Sequence, residues 1–245
     1  MGSYSSLTAS IIAQAESFTG IKAGIARLDK ILQGPSYQAA SEESGSTTMM
    51  DETQIVNWPP RARSVVVLGL YHPANNPRLD WWERGDAWGN RRLTEISEAL
   101  KQWLRTEYKL DALPLPYHVE KGGLFLKDAG VLSGLGIIGR SNLFLHPKWG
   151  SRIRLRSVLI EGNLNPTKVL DGFSPCDACE GFCHKACPVK AFPEGKYRRS
   201  ICRKQMDADI KNKVSDGELD DNGKRHLVIK YCRECELACP IGSEL

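Results

Sequence analysis

Apolar positions in the first two thirds of the chain follow two different periods, and each period predicts its own kind of element. Leu93, Ile96, Leu100, Trp103 and Leu104 recur at helical spacing, with Glu95, Glu98, Lys101 and Arg105 between them. This is the pattern of a helix with one face turned to a core. Ile11, Ile12, Ala15 and Phe18 suggest an earlier helix. Ser64 to Tyr71 is instead a continuous β-branched run, closed by His72-Pro73, and it reads as a buried strand. Arg154 to Ile160 is a second strand candidate. Helices and strands thus alternate, which predicts an α/β or α+β region. Ser41 to Thr48 is polar and Pro73 to Pro77 is rich in Pro and Asn, so both read as surface loops.

Composition narrows the class. A chain of 245 residues has room for one large domain, or for one domain and a smaller companion. Hydrophobic residues make up 41% and charged residues 25%, and no stretch approaches the ~18 consecutive apolar residues of a membrane span. A soluble protein with no membrane partner is expected. The first ten residues lack the basic and apolar regions of a secretory signal, so a cytoplasmic location is expected. The net charge of +4 is too mild to indicate a nucleic-acid partner.

The cysteines change the picture most. All eight lie between Cys176 and Cys239, which divides the chain into 1–170 and 171–245, with the boundary near Pro166 to Pro175. One run is Cys176-x2-Cys179-x3-Cys183-x3-Cys187-Pro188; then come Cys202 and the run Cys232-x2-Cys235-x3-Cys239-Pro240. Eight thiolates suit two 4Fe-4S clusters, because closely spaced cysteines bring sulfurs together while turn amides point at them. In bacterial two-cluster ferredoxins the fourth cysteine of one run serves the other cluster. By that analogy Cys176, Cys179, Cys183 and Cys239 hold one cluster, and Cys187, Cys202, Cys232 and Cys235 the other. Structural zinc also uses C-x2-C pairs, but paired C-x3-C-P endings fit clusters better. Disulfides do not suit the expected compartment. The first run departs from the ferredoxin spacing, with three residues, Glu180, Gly181 and Phe182, where two are usual.

Gly134-Leu135-Gly136-Ile137-Ile138-Gly139 matches the dinucleotide fingerprint G-x-G-x-x-G, and Glu161 lies near the distance of a ribose-binding acid. The fingerprint must follow a strand and open a helix. Here Leu124 to Ser133 reads as helical and Asn142 to His146 as extended, so the match reads as a decoy.

The stretch from Leu135 to Asn142, LGIIGRSN, resembles the G-L-G-W-I-G-K-N segment of the cobalamin-dependent epoxyqueuosine reductases. Arg63 to Tyr71 with His72-Pro73 resembles that family's R-S-V-I-V-x-L-x-Y-x-P strand, and Leu145 to Ser151 its L-x-P-x-x-G-S stretch. The two cysteine runs and the isolated Cys202 complete an ordered match from about Arg61 to Gly242. The resemblance implies a nitroreductase-like α/β domain over 1–170, shared with reductive dehalogenases and holding base-off cobalamin, followed by a two-cluster ferredoxin-like domain over 171–245. It implies cofactor contacts from Tyr71, Gly134, Leu135, Gly136, Ile138, Gly139, Arg140, Asn142, Ser151 and Arg152. In the family an aspartate follows a valine fifteen residues before the first glycine of G-L-G and donates a proton; that count reaches Val119 and Glu120 here.

The departures matter as much. Ile137 replaces the family's tryptophan, and Arg152 and Ile153 replace an aromatic pair. Arg152, Arg154 and Arg156 alternate, which predicts a basic stripe on one strand face. Lys196, Arg198, Arg199, Arg203 and Lys204 form a basic cluster with one aromatic neighbour, Tyr197, a better match to an acidic electron donor than to nucleic acid. The chain ends five residues after Pro240, where epoxyqueuosine reductases continue, so transfer RNA is not expected as a partner. The expectation is an oxidoreductase that takes electrons from a ferredoxin- or flavodoxin-type donor and acts on a small-molecule substrate. The alternatives are an electron-transfer or cobalamin-handling activator of a corrinoid protein and a true epoxyqueuosine reductase.

Overall fold

The computed structural model describes residues 2–44, 58–219 and 222–242. The chain forms two compact units, and each is assembled from separated stretches. The first comprises Met1–Tyr71, Arg92–Ile137 and Arg154–Gly172, and the second His72–Arg91, Ile138–Ile153 and Phe173–Leu245. Sequence composition placed a single boundary near residue 170; the fold also draws 72–91 and 138–153 into the cysteine-bearing unit.

The first unit is built on a four-stranded sheet in the order Ile21–Arg27, Ala62–Tyr71, Ile153–Glu161, Ala112–Pro114. The first two strands are antiparallel, with Ile21 opposite Leu70 and Arg27 opposite Ser64. The last two are also antiparallel, with Ala112 opposite Ile160. Ile21, Ala23, Ile25, Val66, Leu68, Leu70, Val158 and Ile160 alternate along their strands and present one buried face. The helices Gly2–Glu16 and Trp88–Tyr108 cover it with Ile11, Ala15, Leu93, Ile96, Leu100 and Leu104. The helical and strand periods in the sequence therefore meet in one core.

Val65, Val67 and Leu159 point to the opposite face and are also fully buried, which explains why these strands read as continuous apolar runs rather than as alternation. The short helices Leu28–Leu32 and Leu126–Leu132 pack against the sheet. Gly24 permits that close approach, because a Cβ there would stand 2.2 Å from the Ser133 carbonyl oxygen.

Two strands, Ile21–Arg27 and Ala112–Pro114, carry no strong signal in the sequence. Ser41 to Ser44, expected as loop, instead end the helix Pro35–Ser44, and the remainder of that expected loop lies outside the described residues. This helix is held at its start by buried Asp128, which accepts bonds from the Ser36 amide at 2.9 Å and the Ser36 hydroxyl at 2.7 Å. A carboxylate 92 residues away supplies the cap, so local sequence gives no warning of it.

In the second unit the hairpin Val214–Leu219 and Arg225–Val228 is tied to the segment around Trp82. Trp82 and Ile229 exchange backbone hydrogen bonds at 2.9 Å. His226 bridges two carboxylates, with Nδ1 2.6 Å from Asp216 and Nε2 3.0 Å from Glu83. No helix among the described residues is long and apolar enough to cross a membrane.

Replacing Leu100, fully buried in the core, by alanine is expected to lower unfolding stability by about 2–5 kcal/mol in chemical denaturation. The His226 bridge predicts a pH window. Asp216 and Glu83 hold the imidazole above its ordinary pKa, so its contribution is complete below about 6.5 and is lost as pH rises through the raised value. The Glu218 amide and His226 hold Asp216 below its ordinary value. For Glu83 burial pushes upward, but His226 and Arg91 outweigh it and the net shift is downward. The carboxylate contributions are therefore complete above about pH 4.5 and are lost as pH falls through the depressed values. Hydrogen-exchange protection of the hairpin amides should fall as pH rises above neutrality, and this fall should vanish in His226→Gln. An identical fall in both proteins would contradict the assignment.

Candidate metal centre

Each cysteine run contains a single helical turn, and in the first run a turn over residues 175–178 precedes it. In the first run that helix is Phe182–Lys185, which holds Cys183 and is entered through Gly181 at φ 74°. In the second it is Glu234–Leu237, which holds Cys235. Cys202 lies on the helix Arg199–Lys211, none of whose residues is buried. Gly181 belongs to the extra spacing of the first run, and its left-handed backbone lets the chain turn into the helix.

All eight cysteines are free thiols. Burial pushes the Cys183 thiol above its usual pKa, and the nearby Cys239 and Cys179 add to the effect. Burial likewise pushes Cys235 up to about 12, with Cys232, Cys202 and Cys187 contributing. Cys232 is raised by burial too, with Cys187 among its charged neighbours. Cys239, from the second run, therefore acts on the first, while Cys187, from the first run, acts on the second. Cys176 packs against Gly139, where a Cβ would come within 3.3 Å of its sulfur. Among the described residues no three His, Cys, Asp or Glu side chains converge on a single metal ion. The four thiolates of a cubane bind four different irons, a wider arrangement than the shell of one ion.

Backbone carbonyls of these loops take the donors of several residues that the resemblance assigned to a cofactor. Arg140 donates to the carbonyls of Cys179 at 3.3 Å and Asp177 at 3.2 Å. The Ser151 hydroxyl donates to the Glu236 carbonyl at 3.0 Å. Arg152, 5% exposed, donates to the carbonyls of Ile241 at 3.3 Å and Leu237 at 3.5 Å. Gly150 takes φ 56°, and a Cβ there would overlap the Ile241 carbonyl at 1.8 Å. The stretch 150–152 is thus pressed against the chain on both sides of Cys239. Sulfur and amide partners add further ties: the Ala191 amide donates to Cys187 Sγ at 3.3 Å, and the Cys232 amide to Asp209 at 2.8 Å.

Arg152, Arg154 and Arg156 do not form the open basic stripe that their alternation predicted. Arg152 precedes the strand Ile153–Glu161 and is spent on carbonyls. Arg156 is 4% exposed, donates to Thr94 Oγ1 at 3.3 Å, and stacks its guanidinium 5.8 Å from the Tyr117 ring centroid.

The glycine-rich segment has no nucleotide-binding context: the helix Leu126–Leu132 precedes it, Ile137–Ile138 within it is a strand, and the strand Phe144–Leu145 follows. Gly134, at φ 73°, lets the chain pass the Lys168 carbonyl, which a Cβ would meet at 2.2 Å. Leu135 and Gly136 are buried, Ile138 and Gly139 are half-buried, and Asn142 adopts φ 59° with its amide on the Gly139 carbonyl. Tyr71, half-buried, ends its strand with its amide on the Gly20 carbonyl. Glu120 lies in the turn Val119–Lys121 with its carboxylate 3.3 Å from His118 Nδ1 and its side chain 73% exposed. Tyr71, Glu120, Gly134, Leu135 and Gly136 belong to the first unit; Ile138, Gly139, Arg140, Asn142, Ser151, Arg152 and every cysteine belong to the second.

Sequence reasoning did not single out a buried group around the second run. Arg233, inside the C-x2-C loop, meets Asp80, His72 and Glu236. An arginine between two ligand cysteines was the available signal, but no periodicity pairs it with residues more than 150 positions earlier.

No family model matches the chain. In sequence it is 22% identical over 202 residues to an epoxyqueuosine reductase from Lactococcus garvieae (strain Lg2), a match that covers 73% of this chain and 52% of that protein. The chain therefore spans about half the length of the curated relative it matches. In structure it resembles an epoxyqueuosine reductase solved with an epoxyqueuosine-modified tRNA stem loop, with a TM-score of 0.69 and 17% identity over 97% of this chain and 66% of that one. It also resembles a catabolic reductive dehalogenase solved with 3-bromo-4-hydroxybenzoic acid, with a TM-score of 0.57 and 17% identity over 76% of this chain and 26% of that one. The chain is epoxyqueuosine reductase-like: it is similar in sequence to one such reductase and shares its mixed α/β fold with solved epoxyqueuosine reductases and a reductive dehalogenase.

Proposed function

We propose that this chain is an iron-sulfur oxidoreductase that works with cobalamin, built from a nitroreductase-like region over 1–170 and a two-cluster ferredoxin-like region over 171–245. The observation that carries the reading is the crossing of the two cysteine runs. Cys239 neighbours Cys183, and Cys187 neighbours Cys232 and Cys235. That interleaving matches two 4Fe-4S clusters, one held by Cys176, Cys179, Cys183 and Cys239 and the other by Cys187, Cys202, Cys232 and Cys235.

The residues fit the clusters on chemical grounds. Burial and mutual repulsion disfavour bare thiolates here, so the site favours a cationic core that would compensate them. Amides near the sulfurs, such as that of Ala191, favour the charged form.

When bound, the clusters would carry single electrons and cobalamin would supply the reductive centre. The chain's own part is to hold, orient and exchange protons. Arg140, Ser151 and Arg152 serve the cysteine loops through carbonyls, so their support of a cofactor is indirect. Contacts to base-off cobalamin are assigned by the resemblance to Tyr71, Gly134, Leu135, Gly136, Ile138, Gly139 and Asn142. Glu120 is the candidate proton donor, and its carboxylate lies 3.3 Å from His118 Nδ1. The electron source is proposed to be a ferredoxin- or flavodoxin-type protein and the location cytoplasmic.

Two substrate readings follow. The first is reduction of a small molecule. The second is action on tRNA, supported by the similar fold solved with a tRNA stem loop; it runs against the expectation that tRNA is an unlikely partner.

Serine substitutions test the ligand sets. In electron paramagnetic resonance of reduced protein, Cys183→Ser and Cys239→Ser should perturb one cluster signal and Cys187→Ser and Cys235→Ser the other. Pairing by run instead would contradict the crossing. Glu120→Gln should leave iron content and cobalt reduction unchanged and lower turnover of a productive substrate by about 10²–10⁴-fold, the usual size of a general-acid contribution. Unchanged turnover would remove Glu120 from the chemistry, and cobalt reduction without turnover of any substrate, tRNA included, would favour an activator of a corrinoid partner.

A further inference from the structure

Arg233 lies between the ligand candidates Cys232 and Cys235, and it turns its guanidinium inward. Its Nε donates to Glu236 Oε1 at 3.1 Å, and its terminal nitrogens pair with Asp80 and Glu236. His72 completes the group, with Nδ1 3.0 Å from Asp80, 3.2 Å from Arg233 and 3.7 Å from Glu236. The side chains of His72, Asp80, Arg233 and Glu236 are 4, 5, 14 and 12% exposed. His72 Nε2 is fully buried and has no hydrogen-bond partner among the described residues. All four residues lie in the second unit.

Stability alone is a poor explanation for this group. Taking charges out of water costs several kcal/mol per ion, and well-packed apolar residues often stabilise as well. Its position suggests a different role, because Glu236 adjoins Cys235 and Arg233 adjoins Cys232. At such range, fixed charges that are themselves largely buried strongly affect the cost of adding an electron.

We propose that His72, Asp80, Arg233 and Glu236 form a network that positions the second cysteine quartet and sets the reduction potential of its cluster. Asp80 and His72 fix Arg233, Arg233 fixes the Cys232–Cys235 loop, and the balance of charges determines how readily that quartet accepts an electron. The inference rests on the reading of these cysteines as cluster ligands.

The two signs of charge make it testable. Removing the Asp80 carboxylate leaves the surroundings more positive and favours the reduced cluster; removing the Arg233 guanidinium does the reverse. Anaerobically reconstituted full-length protein would be titrated potentiometrically, with each cluster followed by electron paramagnetic resonance. Asp80→Asn should raise one midpoint and Arg233→Gln should lower the same one, each changing the oxidised-to-reduced ratio about tenfold, or ~59 mV for a one-electron couple. The other midpoint should stay in place, and Arg233→Lys should lie between wild type and Arg233→Gln. A variant that keeps the first signal but loses the second cluster with about half its iron would also support the positioning role. Shifts of one sign in both variants, equal movement of both clusters, loss of both signals together, or unmoved midpoints would overturn the proposal. Wild-type protein that takes up no iron would be a separate failure, removing the proposed function itself.

Discussion

Burial and neighbouring cysteines disfavour the thiolates of Cys183, Cys232 and Cys235, so the loops that carry them must be held by other bonds. The structure supplies those bonds mainly through the backbone. Arg140 and Arg152 donate to carbonyls of the cysteine loops, and Ser151 donates to the carbonyl beside Cys235. Charge-assisted hydrogen bonds of this kind are among the stronger ones available. These bonds draw on carbonyls rather than on the sulfurs.

That constraint explains why the second unit recruits segments from far upstream. The cysteine-bearing stretch buries little of its own: the helices Phe182–Lys185, Arg199–Lys211 and Glu234–Leu237 contain no buried residue. Residues 72–91 supply Asp80, His72 and Glu83, while 138–153 supply Arg140, Ser151 and Arg152. Both stretches are continuous in sequence with elements of the first unit.

Much of this organisation was legible in the sequence, and the gaps have physical causes. The strand Ala62–Tyr71 and the helix Trp88–Tyr108 were visible because burial on one or both faces imposes a period on the residues. The strand Ile21–Arg27 was not, because Lys22 and Gly24 interrupt its apolar pattern; Gly24 is there for the close approach of Ser133. The arginines misled for a related reason. Alternation shows which face a side chain takes, but not whether that face meets water or the carbonyls of another segment, and Arg152 meets carbonyls. The cysteines were the clearest signal, since their spacing follows neither the helical nor the strand period that packing imposes. The Arg233 group lay beyond local reading, because a charge pair between residues 80 and 233 leaves no periodic trace.

In the proposed function, thiols distant in sequence gather into two cluster-binding quartets. Iron, acid-labile sulfide and zinc analysis of anaerobically reconstituted protein tests it most directly. Two cubanes would give about eight irons and eight sulfides per chain, four of each per cubane. Protein that returns sulfide-free, with zinc in place of iron, would contradict it.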